Sequence, residues 1–85
     1  MSGTNMTPER LTKRLSRVFN EIFPSLDLGD APDATMDNVA GWDSMATIML
    51  CAQCEEDFGV KIGFDRIAET KSFADLYKLI EGLTR

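Results

Sequence analysis

None of the 85 residues is a histidine, and that absence decides much of the chemistry open to the chain. Histidine is the commonest general base, so Ser–His and Cys–His nucleophilic pairs are excluded within the chain, as is any zinc site that uses an imidazole. Two nucleophile-bearing stretches remain: Asp43-Ser44, which follows Gly41-Trp42, and Cys51-Ala52-Gln53-Cys54. A redox Cys-x-x-Cys sits at a helix N-terminus, where the dipole lowers the thiol pKa. This pair falls in the middle of an apolar helix and reads as packed thiols in a reducing compartment. A chain of this length forms one domain, residues 1–85, that buries roughly 60–65% of the surface its unfolded form exposes. No second domain is left to wall a cleft. The chain is read as a non-catalytic protein whose chemistry comes from a partner or an attached group.

Charge narrows the partners. Fourteen acids against nine bases give a net charge of −5, and phosphate-backbone binding needs clustered Lys and Arg, so nucleic acid is not expected. The acids are concentrated: from Val18 to Val60 there is no Lys or Arg, while Glu21, Asp27, Asp30, Asp33, Asp37, Asp43, Glu55, Glu56 and Asp57 all fall in that stretch. The first six residues, Met1 to Met6, carry neither a basic segment nor an apolar one and are expected to be disordered. The longest nearly apolar run, Met45 to Ala52, falls far short of the roughly 20 residues that span a bilayer. The expectation is a cytoplasmic monomer with no membrane partner.

The elements that must position Ser44 can be read from punctuation and periodicity. Thr7 is placed as N-cap and Pro8 at the first helical position, followed by Leu11, Leu15, Val18, Phe19 and Ile22 on one face and Pro24 as the stop. A last helix opens at Ser72, with Asp75 in an Asp form of the capping box, carries Phe73, Leu76, Tyr77 and Ile80, and is expected to end at Gly82. Between Pro24 and Gly41 the chain is rich in Asp, Pro and Gly and reads as a long loop, a feature that is usually functional in a compact domain. Strand-like alternation is nowhere sustained. The fold class is all-α, with three main helices, one short helix near Phe64 to Ala68, and a long loop between the first two helices.

The second main helix, from Asp43-Ser44 to about Phe58 with Gly59 as its stop, has two apolar stripes. At 100° per residue, Thr47, Leu50, Cys51, Cys54 and Phe58 share one side. Met45, Ile48, Met49 and Ala52 lie nearly opposite and run on into Glu55 and Glu56. A small bundle cannot bury a helix completely, so the second stripe is expected to face water. Methionine adapts its shape and carboxylates steer a basic patch into register, which suits a docking face. Asp43-Ser44 by itself is an ordinary helix cap. In context it is more: an exposed hydroxyl at a helix N-terminus, where free N–H groups and the dipole favour a phosphate, beside an acidic-apolar face.

With these residues in place the sequence resembles the acyl carrier proteins over nearly its whole length. Gly41-Trp42-Asp43-Ser44-Met45 is similar to the family's Asp-Ser-Leu motif with methionine for leucine. Glu55-Glu56-Asp57-Phe58-Gly59-Val60-Lys61-Ile62 is similar to the acidic end of its second helix and the following turn, and Thr70-Lys71-Ser72-Phe73-Ala74-Asp75-Leu76 to the start of its last helix. The resemblance implies a four-helix bundle and a free-standing carrier whose Ser44, with Asp43 and Met45 beside it, bears a 4′-phosphopantetheine added from coenzyme A by a magnesium-dependent phosphopantetheinyl transferase. Cargo is then held as a thioester and worked on by acyl ligases, ketosynthases or acyltransferases of a fatty-acid, polyketide or other dedicated pathway. The expected partner-binding residues are Trp42, Ala46, Ile48, Met49, Ala52, Glu55 and Glu56. In this family an acyl chain can slip between the helices, so Thr47, Cys51 and Cys54 are candidate liners, or else they simply fit against Phe19, Phe58 and Phe73.

The departures from the family pattern also inform. General fatty-acid carriers have more acids just after the serine, where this chain has Ala46 and Met49, so docking is expected to rest on apolar contact more than on steering. Met45 and Trp42 leave open an aminoacyl or peptidyl carrier of a nonribosomal-type pathway. A rival of another class is an unmodified helical adaptor that binds partners through the Met45/Met49 face.

Overall fold

The structure, a computed structural model, describes residues 7–84. The expectation of disorder for residues 1–6 lies outside them. Four helices occur in the order α1 (Pro8–Ile22), α2 (Ser44–Phe58), α3 (Phe64–Glu69) and α4 (Phe73–Leu83), with a 3-10 turn at Ala31–Asp33 between α1 and α2. No strand is formed among the described residues beyond an isolated bridge between Thr35 and Ser72.

Local sequence sets each boundary. Thr7 accepts from the Arg10 N–H, with Pro8 behind it in the first turn. Asp43 caps α2 by accepting from Ala46, and Gly59 closes it in the left-handed region at φ 66°, a conformation that costs an L-residue about 1–2 kcal/mol. Ser72 caps α4 by accepting the Asp75 N–H, but the Asp75 carboxylate accepts in return from the Lys71 N–H, one residue earlier than a reciprocal box requires. The expected stop at Gly82 is corrected by the structure. Gly82 lies inside α4, which continues to Leu83, because Thr84 caps the end with its hydroxyl donating to the Ile80 carbonyl.

The core is one cluster. Leu11, Leu15, Val18 and Phe19 from α1 meet Leu50, Cys51 and Cys54 from α2 and Phe73, Leu76 and Ile80 from α4. The segment read as a featureless loop contributes to it, since Ala31 and Ala34 are fully packed. It is held at both ends: Asn20 donates to the Leu26 carbonyl at 2.8 Å, while the Met36 N–H reaches Lys71 O and the Phe73 N–H reaches Ala34 O, each at 2.9 Å. Short-range propensity cannot reveal this docking, because Lys71 and Phe73, at the entry to α4, lie far along the chain from Met36 and Ala34. A further tie joins the basic face of α1 to the end of α2. The Arg14 guanidinium lies 4.8 Å over the Phe58 ring and donates to the Asp57 carbonyl, placing a cation at a helix C-terminus that carries no basic residue in its own last turn.

Candidate functional site

The start of α2 is built from four consecutive residues with different tasks. Gly41 turns the chain at φ 86°, a conformation open to glycine without strain. Trp42 then drops into the core and Asp43 caps the helix, which leaves Ser44 at the first helical position with its side chain exposed. Of the four N–H groups that open a helix, that of Ala46 is taken by Asp43 Oδ1 at 2.9 Å. Those of Ser44 and Met45 have no protein partner among the described residues. No acid occupies the first turn. An exposed primary hydroxyl beside free N–H groups at the positive end of a helix dipole suits a phosphate-linked group.

Trp42 is held by two rings and one hydrogen bond. Its ring lies 5.5 Å from Phe19 in an edge-on arrangement and 5.6 Å from Phe23, and its Nε1–H donates to Thr47 Oγ1 at 2.7 Å. Thr47 in turn places both its N–H, at 3.0 Å, and its hydroxyl, at 3.2 Å, on the Asp43 carbonyl. This relay was not read from the sequence. A signal for it existed: a threonine within a core stripe needs a hydrogen-bond partner, and so does a buried indole N–H.

The two stripes of α2 are separated by burial. Ala46, Thr47, Leu50, Cys51 and Cys54 are buried. Met45 is 64% exposed, Ile48 42% and Met49 50%, with Ala52 and Glu56 exposed along the same line. Three expected docking residues require correction. Trp42 and Ala46 are only 6% and 7% exposed, because one belongs to the aromatic cluster and the other turns inward next to Thr47. Glu55 is half-buried, and its Oε2 accepts the Ile62 N–H at 2.8 Å, so its carboxylate fastens the turn between α2 and α3. The core side of α2 is also chemically quiet. Burial, and to a lesser degree the Glu55 charge, pushes the Cys51 thiol from 9.0 up to about 11. Cys54 is raised further, first by burial and then by Cys51 and Asp57. Both are free, and thiols kept protonated in this way are poor nucleophiles.

A groove of about 690 Å³ runs between α3 and α4, past Ile62, Arg66, Lys78, Leu79 and Leu83. None of Asp43, Ser44 and Met45 lines it. Its walls mix both signs of charge.

Residues 9–80, which include the whole of this site, match the family described as PP-binding, phosphopantetheine attachment site. The chain belongs to this carrier family. Its members carry a covalently attached 4′-phosphopantetheine prosthetic group, and the chain is a phosphopantetheine-bearing carrier protein of the acyl-carrier type. Carriers of this family are generally non-catalytic and interact with a phosphopantetheinyl transferase and with the enzymes of their pathway. No curated protein matches the chain. No helix among the described residues is long and apolar enough to cross a membrane.

Proposed function

We propose that Ser44 is the attachment residue, and that the chain acts as one carrier domain that holds an acyl intermediate for a dedicated pathway of the fatty-acid or polyketide kind. The observation that carries this reading is the exposed Ser44 hydroxyl at the first position of α2, capped by Asp43, inside the matched residues. When bound, the group supplies a thiol whose thioester activates the cargo's carbonyl carbon for attack and its α-carbon for deprotonation. The chain's own residues orient and present. Asp43 fixes the helix start, the Ser44 and Met45 N–H groups face the phosphate position, and Met45, Ile48, Met49, Ala52 and Glu56 form the docking face.

Ligases, ketosynthases or acyltransferases matched to this face are the proposed partners. With four exposed apolar side chains and one free acid along the stripe, docking rests on adaptable apolar contact more than on long-range steering. Thr47 is committed to Trp42 and Asp43, which narrows the proposed cargo lining to Cys51 and Cys54. Two unpaired, buried thiols suit the cytoplasm as the working compartment. The test is intact-mass spectrometry after incubation with coenzyme A, magnesium and a promiscuous phosphopantetheinyl transferase. One added phosphopantetheine, absent in Ser44→Ala, is expected; a chain that gains no mass, and still captures its partners through the Met45/Met49 face, would be an adaptor.

A further inference from the structure

We propose that Trp42 and Thr47 are positioning residues for the modification of Ser44, acting through the peptide group that joins Asp43 to Ser44. The inference rests on the assignment of Ser44 as the attachment residue. The Asp43 carbonyl and the Ser44 N–H and Cα belong to one planar unit, so whatever holds the carbonyl also holds the serine. That carbonyl receives two bonds from one residue, the N–H of Thr47 at 3.0 Å and its hydroxyl at 3.2 Å. A threonine hydroxyl is free to rotate unless something else fixes it. Here the Trp42 Nε1–H occupies one of its lone pairs at 2.7 Å, which directs the hydroxyl proton onto the Asp43 oxygen.

The indole itself packs against Phe19 and Phe23 at the end of α1, at 5.5 and 5.6 Å. The serine is thereby tied to α1 through Phe19, Trp42, Thr47 and the Asp43 carbonyl, while its own side chain is exposed. The position matters for transfer. Ser44 Oγ must form a bond to the pantetheine-side phosphorus of the coenzyme A pyrophosphate. The bond from that phosphorus to the bridging oxygen breaks, the nucleotide bisphosphate leaves with that oxygen, and the serine proton passes to a base on the transferase. An in-line attack of this kind is sensitive to displacements of the nucleophile well below the width of an atom. The proposed docking face is the exposed outer stripe of α2, whereas Trp42 and Thr47 are buried on the inner side.

The experiment is steady-state phosphopantetheinyl transfer from coenzyme A by a purified transferase, with carrier concentration varied. Trp42→Phe keeps an aromatic ring against Phe19 and removes the N–H together with the fused five-membered ring; Thr47→Val keeps the shape and removes the hydroxyl. Each is expected to lower kcat about tenfold with the KM for the carrier unchanged. Thr47→Ser is expected to restore kcat, and the double variant to fall no further than either single one, as for two members of a single relay. Ile80→Val, a core change on α4 distant from the relay, controls for lost stability and is expected to transfer like the unaltered protein. The inference is overturned if folded Trp42→Phe and Thr47→Val keep full kcat, if only KM changes, or if Ile80→Val falls equally. Modification that persists in Ser44→Ala overturns the attachment assignment instead; a block in Ser44→Ala with no response to Trp42→Phe and Thr47→Val overturns this inference alone.

Discussion

Glu55 Oε2 accepts the backbone N–H of Ile62 at 2.8 Å, so two adjacent acids at the end of α2 perform different work. Glu55 closes the turn into α3 over a half-buried bond, and Glu56 points to water. Glu55→Ala leaves the Ile62 N–H without its acceptor and is expected to destabilise the fold by about 1–2 kcal/mol, with Glu55→Gln recovering part of the loss. Glu56→Ala is expected to stay within about 0.5 kcal/mol of the parent. Thermal unfolding followed by circular dichroism separates the two.

Met49 tests the apolar docking face. It is half exposed, so Met49→Glu should leave stability nearly unchanged. It is expected to lower kcat/KM with a cognate ligase or ketosynthase by roughly tenfold, equivalent to about 1.4 kcal/mol of lost contact. An unchanged cognate rate, with no gain toward general fatty-acid synthase enzymes, would remove the basis for a dedicated apolar interface.

The buried cysteines give a count. In the folded chain before modification, a thiol reagent at pH 8 is expected to label neither Cys51 nor Cys54, since both are packed and held protonated. Denaturation should release two reactive thiols. After modification the folded protein should label once, at the arm, and three times when unfolded.

The same thiols predict an alkaline weakness. Their folded pKa values lie above the ordinary 9.0, with Cys51 at about 11, so above pH 9 the unfolded chain releases protons that the folded chain retains. Their contribution is therefore complete below pH 9 and is lost as the pH rises, for Cys51 through about 11 and for Cys54 higher still. The melting temperature is expected to fall across that interval, and to fall less steeply in Cys51→Ala and Cys54→Ala. Parallel slopes in all three proteins would mean that the cysteines play no part.

The helices were legible in the sequence because each is governed by its own residues. Thr7 with Pro8, Asp43 with Gly59, and Ser72 mark ends that the structure reproduces, and the inner stripe of α2 follows from helical spacing alone. What escaped depends on partners distant in the chain or on side-chain hydrogen bonding. The Ala31–Asp33 turn closes on local backbone bonds and packs against both α1 and α4. Trp42 and Ala46 precede or open the helix, where periodicity says little about which way a side chain turns. Glu55 continues the outer stripe by spacing, yet the Ile62 N–H lies within its reach and draws it in. Gly82 looked like a stop, but α4 runs through it to a cap by Thr84.

The central claim is that Ser44 carries the prosthetic group, and the sequence offers a direct way to locate it. With no Lys or Arg from Val18 to Val60, trypsin leaves residues 18–61 as one peptide, in which the hydroxyl-bearing residues are Ser25, Thr35, Ser44 and Thr47. Fragmentation of that peptide after treatment with coenzyme A, magnesium and transferase should place a single phosphopantetheine on Ser44. The account is contradicted if the added mass falls on Ser25, Thr35 or Thr47, or if the peptide from a folded, transferase-treated protein carries none.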